Sequence, residues 1–393
     1  MHIVFVSNFF NHHQEALSKE LDKLTGHQYT FISTMPMTQE RKRMGWGSQI
    51  APPYVLEAFH TNSSAEHMQD LILKADVVVW GAVPHLLLQK RIEKGLLTFW
   101  YSERLYKVPC PQYRLLQKRI TMYYKFGRHK NLYLLCASAY TAADFEKTHT
   151  LSGRRYKWGY FPEARYYSDI DKLISKKVPA SILWTGRMID WKHPEIPVQI
   201  ARLLKEHGYS FHMTLIGNGE LQDTILTLIR ENALTNEITL IDSLTPEEVR
   251  NEMEKNQIFI ATSDRNEGWG AVVNEAMNSG CTVVASHAIG SVPFLIKDYV
   301  NGFIYKDGDI HALFEKVTWL LNHTETFQKT GKEAYLTISK HWNAQNAAHR
   351  LLALSQQLLA GSNTPFSDGI CSKAEIFEDD WYENKNSLFN SLS

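Results

Sequence analysis

The sequence predicts an α/β protein built twice over, with two parallel sheets, each covered by helices. Three observations carry this. Short apolar runs alternate with helical patterns along both halves of the chain. Each run ends in a polar or glycine-bearing turn that feeds a helix, the order of parallel crossover units. The length, 393 residues, suits two domains of ordinary size.

In the first half, residues 3–6 form a short buried strand, and the next stretch turns into a helix reaching about Leu24, with Asn11 as its N-cap. Open α/β sheets bind ligands where a strand end meets a helix start, so Asn11, His12 and His13 are candidate contacts for a sugar or phosphate. Neighbouring side chains on a helix diverge, which makes the two histidines a poor metal pair. Further strands are expected at 29–32, 77–80, 96–101 and 132–137, giving a Rossmann-like domain over residues 1–165. Glu103 leaves the fourth of these five strands at its C-terminal edge, either as a ligand contact or paired with Arg104.

Residues 112–130 interleave Arg114, Lys118, Arg119, Lys125, Arg128 and Lys130 with leucines and aromatics. That mixture suits an anionic inner membrane face or a lipid-linked acceptor, or a solvated helix whose apolar side packs on the domain. No nucleic-acid recognition motif accompanies it, so nucleic acid is not among the expected partners. Formal charge is zero overall, yet residues 1–178 hold 25 Lys+Arg against 15 Asp+Glu, and 179–393 hold 17 against 27. This asymmetry places an anionic partner on the first half or draws the halves together.

Cys110, Cys136, Cys281 and Cys371 lack C-x-x-C spacing, fitting reduced thiols and excluding a zinc-site pattern. No window approaches the roughly 20 apolar residues of a membrane span, and the N-terminal stretch lacks the basic residues of a signal peptide. A cytoplasmic protein, peripheral at most to the inner face of the membrane, is the expectation.

Residues 166–179 read as the interdomain linker, with Asp169-x-Asp171 solvated rather than metal-binding. The second domain, 180–332, opens with a strand at 181–185 followed by Gly186-Arg187-Met-Ile-Asp-Trp-Lys192, so two cations precede a helix over 195–207. They can neutralise a departing diphosphate without a metal. The strand over 211–216 ends in Gly217-Asn218-Gly219-Glu220-Leu221, weak evidence alone but in register with the other loops. A strand over 238–244 and a helix from Pro246 follow. Asp307-Gly308-Asp309 reads as a turn, with Asp309 capping a helix over 310–322.

The chain is organised around 264–285. An apolar run at 258–261 enters a loop carrying Glu267, and a helix should start near Gly270, stop at Gly280 and carry Glu275. Amides around Trp269, Gly270, Ala271 and Val272 can hold a phosphate at the helix N-terminus. Gly268 and Gly270 allow close approach, and two carboxylates can accept sugar hydroxyls. The local shape is that of a nucleotide-sugar site, although a plain crossover with both glutamates facing water has the same pattern.

Glu267 and Glu275, with the stretch between and after them, resemble the E-x7-E signature of the retaining family-4 glycosyltransferases. Gly186 to Pro194 resembles that family's arginine–lysine diphosphate clamp, and Ile216 to Leu221 its donor-binding turn. The resemblance implies the GT-B fold, with a donor domain, an acceptor cleft and a last helix, 333–360, crossing back to the first domain. It implies sugar transfer from a nucleoside diphosphate, UDP ahead of GDP, to a glycan or lipid-linked hydroxyl. Arg187, Lys192 and Glu267 would be catalytic, and Gly186, Gly217, Asn218, Gly219, Leu221, Gly268, Trp269, Gly270, Ala271 and Glu275 would bind donor. Neither a tightly bound cofactor nor a metal is implied, and bacterial surface polysaccharide is the expected destination.

The first half departs from the family: Asn8 to Asn11 stands where a glycine pair is common, and Ser102-Glu103-Arg104 where a histidine is. A nucleotide-sugar epimerase of the same fold, a pyridoxal-dependent phosphorylase and a silent sugar-binding partner subunit remain as alternatives. Residues 361–393 read as an acidic, mobile tail in which Trp381 and Tyr382 could dock.

Overall fold

The computed structural model describes residues 1–39, 51–107, 111–364 and 366–383. Cys110 and the last ten residues of the expected tail lie outside the described residues. The chain divides into two compact units, one of Met1–Glu163 with Trp342–Glu378 and one of Ala164–His341 with the stretch from Asp379 on.

The first unit holds a parallel sheet of β1 (Ile3–Ser7), β2 (Tyr29–Ser33), β3 (Val55–Glu57), β4 (Val77–Trp80), β5 (Thr98–Ser102), β6 (Leu132–Cys136) and β7 (Arg155–Lys157), in the order β3-β2-β1-β4-β5-β6-β7. Strand order reverses between β1 and β4, where such sheets bind ligands at their C-terminal ends. β1, β4 and β6 are buried along their whole length, as a parallel sheet covered on both faces requires. Val4, Val6, Val78, Leu134 and Phe145 belong to one apolar cluster.

The second unit holds β8 (Val178–Thr185), β9 (His212–Ile216), β10 (Ile238–Ile241), β11 (Asn256–Ala261), β12 (Thr282–Ser286) and β13 (Phe303–Tyr305), ordered β10-β9-β8-β11-β12-β13 and also parallel. Here the order reverses between β8 and β11, so the turns after these strands face the same crevice. Ile182, Leu215, Ile260, Val284 and Phe303 anchor the core. Both units are thus Rossmann-like parallel-sheet domains. β3, β7 and β13, each three residues long, escaped the sequence reading because such short strands show little periodicity.

Three expectations change. The stretch taken as a linker contains a helix, Ile170–Ser175, capped by the Asp169 carboxylate accepting from Lys172 N at 2.9 Å, while Asp171 pairs with Lys332 at 2.6 Å. The single crossing helix is interrupted: Glu325–Leu336 continues into a π turn over Thr337–His341, and Ala344–Leu359 starts afresh where Asn343 caps it from Asn346 N. That last helix belongs to the first unit and packs on His12–Leu24.

The tail is not loose where it is described. Cys371 N donates to Lys157 O and Lys157 N to Ser372 O, both at 2.8 Å, and Ile370 and Cys371 are buried. Burying two apolar side chains and satisfying the exposed edge of β7 outweighs the acidic composition that suggested disorder.

Candidate functional site

In the second unit, three turns meet at the C-terminal edge of the sheet. β8 runs into Gly186, whose amide donates to Ile216 O at 3.0 Å, and Met188 N donates to Asn218 O at 2.7 Å. Leu221 N returns to Met188 O at 3.0 Å. Gly217 has φ +137° and Gly219 φ +153°, and a Cβ on them would stand 1.9 Å from Gly186 O and 2.5 Å from Met188 O. The glycines of this turn therefore make room for the neighbouring backbone.

The third turn locks onto the first. Thr262, just past β11, accepts from Trp184 Nε1 at 2.8 Å and donates to Lys192 O at 2.6 Å, and Asp264 N donates to Trp191 O at 3.0 Å. His193, at φ 50°, closes the turn of Asp190–Lys192. Lys192 is thereby carried across to Glu267, and Lys192 Nζ donates to Glu267 Oε2. These side chains keep only 17 and 16 % of their surface exposed. Arg187 is exposed and stacks its guanidinium 5.5 Å from the centre of the Trp191 ring.

Glu267 leads through Gly268 and Trp269 to the helix Ala271–Asn278, which Gly270 caps at φ +82°. A Cβ at Gly270 would come within 2.7 Å of Ile289 Cγ2. Trp269 is buried and its indole donates to Asn274 Oδ1 at 2.8 Å, so the ring is part of the frame holding the turn. The first helical turn opens at the sheet edge, where a helix N-terminus and its dipole favour an anion. Glu275 sits one turn along, partly exposed, and burial pushes its carboxyl above the usual carboxylate range, with the Arg250 guanidinium opposing. Helix end and Gly280, at φ +66°, fall where the sequence placed them.

Sequence reading missed what lies beside this group. His193 Nδ1 contacts Glu195 Oε1 at 2.9 Å, and its Nε2 lies 3.7 Å from Asp264 Oδ2. The hydrogen bond to Glu195, helped by the charges of Asp264 and Asp307, raises the imidazole above its ordinary value. Residues 379–383 also close on this unit: Asp379 pairs with Arg265 at 3.2 Å, Tyr382 OH donates to Ile304 O at 2.7 Å, and Lys306 pairs with Glu383 at 2.6 Å. His287 Nδ1 accepts from Asp307 N at 2.9 Å, so its other nitrogen carries the proton toward Asp379 O, 3.2 Å away. Nothing in the local sequence of Arg265 points to a partner more than a hundred residues on. Asp309 does cap Ile310–Asn322 as expected, accepting from Ala312 N at 2.9 Å.

In the first unit, Asn11 caps His12–Leu24, accepting from His13 N at 2.9 Å, while Gln14 closes the capping box. His12 and His13, expected to diverge, place their ring centroids 3.9 Å apart. Asn11 and His13 line a small pocket with Tyr101, Trp158 and Tyr160. Glu103 accepts a hydrogen bond from the pocket's Tyr160, whereas Arg104 turns to Asp144 at 3.8 Å; neither Glu103 nor His12 lines the pocket itself. Among the described residues, no cluster of His, Cys, Asp or Glu could hold a metal ion, and no helix is long and apolar enough to cross a membrane.

Residues 168–337 match the family model of glycosyl transferases group 1. The chain is 31 % identical over 140 residues to the amylovoran biosynthesis glycosyltransferase AmsK of Erwinia amylovora, covering 34 % of each. It is 24 % identical to the putative colanic acid biosynthesis glycosyltransferase WcaL of Escherichia coli K12, covering 46 % of each. The match spans 34 to 50 % of the length of these and comparable curated relatives. Among solved structures, Anabaena HepE in complex with UDP superposes with TM-score 0.65 at 14 % identity, over 92 % of this chain and 99 % of that one. TarM does so with TM-score 0.63 at 11 % identity, over 90 and 98 %. These likenesses support the group 1 family and show the fold of the GT-B neighbours.

Proposed function

We propose that the chain is a retaining glycosyltransferase that moves a sugar from a nucleoside diphosphate, uridine ahead of guanosine, to a hydroxyl of a glycan or lipid-linked saccharide. The observation that carries the reading is the joining of Lys192 to Glu267 at the mouth of the Ala271–Asn278 helix, beside Arg187 and one turn from Glu275. Cations, a helix N-terminus and two carboxylates are what a sugar diphosphate asks of a site. The family match over the second unit and the UDP in the HepE structure support it further. The relatives named for amylovoran and colanic acid favour bacterial surface polysaccharide as the product class.

In this reading Lys192 exchanges Glu267 for a phosphate oxygen, and Glu267, released, accepts from the donor sugar's hydroxyls. Glu275 holds the ribose. As the bond to the leaving group breaks, positive charge grows on the anomeric carbon and negative charge on the phosphate. Arg187, Lys192 and the amides near Ala271 stabilise the second, so no metal is required. The acceptor attacks from the face the diphosphate leaves, and its proton passes to the departing oxygen. Asn11, His13 and Glu103, gathered around the first unit's pocket, are the residues proposed to meet the acceptor.

A thermal-shift series tests this with UDP, GDP, ADP and CDP and their sugar conjugates, each with and without EDTA. A ligand at 100 times its dissociation constant stabilises by about 2.7 kcal/mol. One nucleotide should raise Tm equally with EDTA and fail to do so in Glu275→Ala. No response to any nucleotide would remove the donor site.

A further inference from the structure

The helix Gln112–Met122 and the turn Tyr123–Gly127 have two apolar sides, and only one is used. Leu115 and Met122 are half-buried and Phe126 is buried against Trp80 and Trp100, which seats the segment on the domain. Tyr113, Leu116, Ile120, Tyr123 and Tyr124 are 69, 64, 55, 56 and 59 % exposed. At about 100° per residue these five fall in a sector about 100° wide, centred roughly 130° from the seated side. Arg119 borders one edge of that sector, while Arg114, Lys125 and Lys118 lie about 80–120° beyond the other, Lys118 with its ammonium 4.4 Å from the centre of the Tyr106 ring. Arg114 also lies 5.7 Å from the centre of the Tyr113 ring. From residue 104 to 143 the chain carries eight lysines and arginines and no Asp or Glu.

We propose that this outward stripe is a docking surface for an anionic phospholipid bilayer, lying in the plane of the headgroups. A contiguous row of exposed tyrosines and aliphatics is costly in water and marks an interaction surface. Tyrosines at the level of the headgroups and bases on both flanks fit an interface that is apolar below and anionic above. A second copy of the chain would bring the same eight cations against themselves. A nucleic acid would satisfy the bases but leave Leu116 and Ile120 without a partner. The surface works whether or not the second unit binds a nucleotide, so its test is independent of the proposed transfer.

The experiment is co-sedimentation of the full chain with vesicles of phosphatidylcholine alone or with added phosphatidylglycerol. The protein should pellet with the anionic vesicles, less so at 1 M salt, where the screening length falls to about 3 Å. Lys118→Glu with Arg119→Glu should lower partitioning about 30-fold or more, each basic side chain near the surface contributing about five-fold. Leu116→Ser with Ile120→Ser should also lower it, while Lys118→Arg with Arg119→Lys should keep it and show that position alone is tolerated. The proposal is overturned by wild-type protein that stays in the supernatant, or by both disruptive pairs pelleting as wild type does. A vesicle-free dimer lost in Leu116→Ser with Ile120→Ser would overturn it in favour of self-association, and equal competition by duplex DNA in favour of nucleic acid.

Discussion

A Cβ placed on Gly217 would stand 1.9 Å from the carbonyl oxygen of Gly186, so the turn after β9 and the turn after β8 are packed backbone to backbone. Gly217→Ala must push these turns apart and also adopt φ +137°. We expect a loss of more than about 2 kcal/mol of stability. Gly26→Ala is the control, since it shares a positive φ but meets open space, and it should cost about 1–2 kcal/mol. Urea denaturation of the two variants separates strain from collision.

Lys192 and Glu267 are held together in mostly covered surroundings. Removing either one leaves the other's charge partly buried and should destabilise by about 1–3 kcal/mol, while removing both should cost less than the sum. A double-mutant cycle in thermal unfolding reads the coupling. A cycle that is additive would mean the pair is not formed in solution.

His193 has its imidazole raised by the Glu195 hydrogen bond and by Asp264 and Asp307. A raised histidine adds stability that is full below its ordinary value of about 6.5 and fades as pH climbs through the raised one. Melting temperature should therefore fall from that point upward in wild type, and this part of the slope should vanish in His193→Asn. Asparagine is the fitting replacement because it tolerates the left-handed backbone at this residue.

The backbone pairing of the tail with β7 predicts slow hydrogen exchange. The amides of Cys371, Ala374 and Lys157, which donate to Lys157 O, Arg155 O and Ser372 O, should be protected together in native-state exchange. Fast exchange at Cys371 and Ala374 would restore the mobile tail.

Tyr382 OH and the Asp379 carboxylate fasten the residues after Glu378 to the second unit. Tyr382→Phe with Asp379→Asn should cost about 1–2 kcal/mol and expose the chain near Glu378 to limited proteolysis without changing cleavage elsewhere. Identical digestion of wild type and variant would show that these contacts do not hold the segment.

Local features were legible in the sequence. Asn11 and Asp309 announce their helices because a cap acts within three residues, and Gly270 and Gly280 bracket theirs because a left-handed position at a helix end asks for glycine. That Glu267 lies in the loop and Glu275 on the helix was legible from the local pattern. Thr262, which pins Lys192, and Asp379, which pairs with Arg265, were not, since each acts on a residue far along the chain and carries no pattern of its own. Gly217 was legible as part of a glycine-bearing turn, but the backbone it accommodates, Gly186 O, belongs to another turn and carries no pattern of its own. The acidic tail was misjudged for a related reason: composition averages over the segment, whereas Ile370 and Cys371 alone supply its anchor.

The first unit is assembled from two stretches far apart in the chain, with Ala344–Leu359 lying on His12–Leu24 and Ser372 completing β7. On the ribosome, at about 5–20 residues per second, Ala344 follows Leu24 by on the order of 15–65 s. Throughout that interval the sheet of the first unit can pair its strands, but the face that the last helix covers stays open to water. The second unit, contiguous from Ala164 to His341 except for the stretch from Asp379 on, can close around its core while its elder neighbour is still unfinished. Nascent chains halted before Ala344 are therefore the form in which this protein should most need a chaperone.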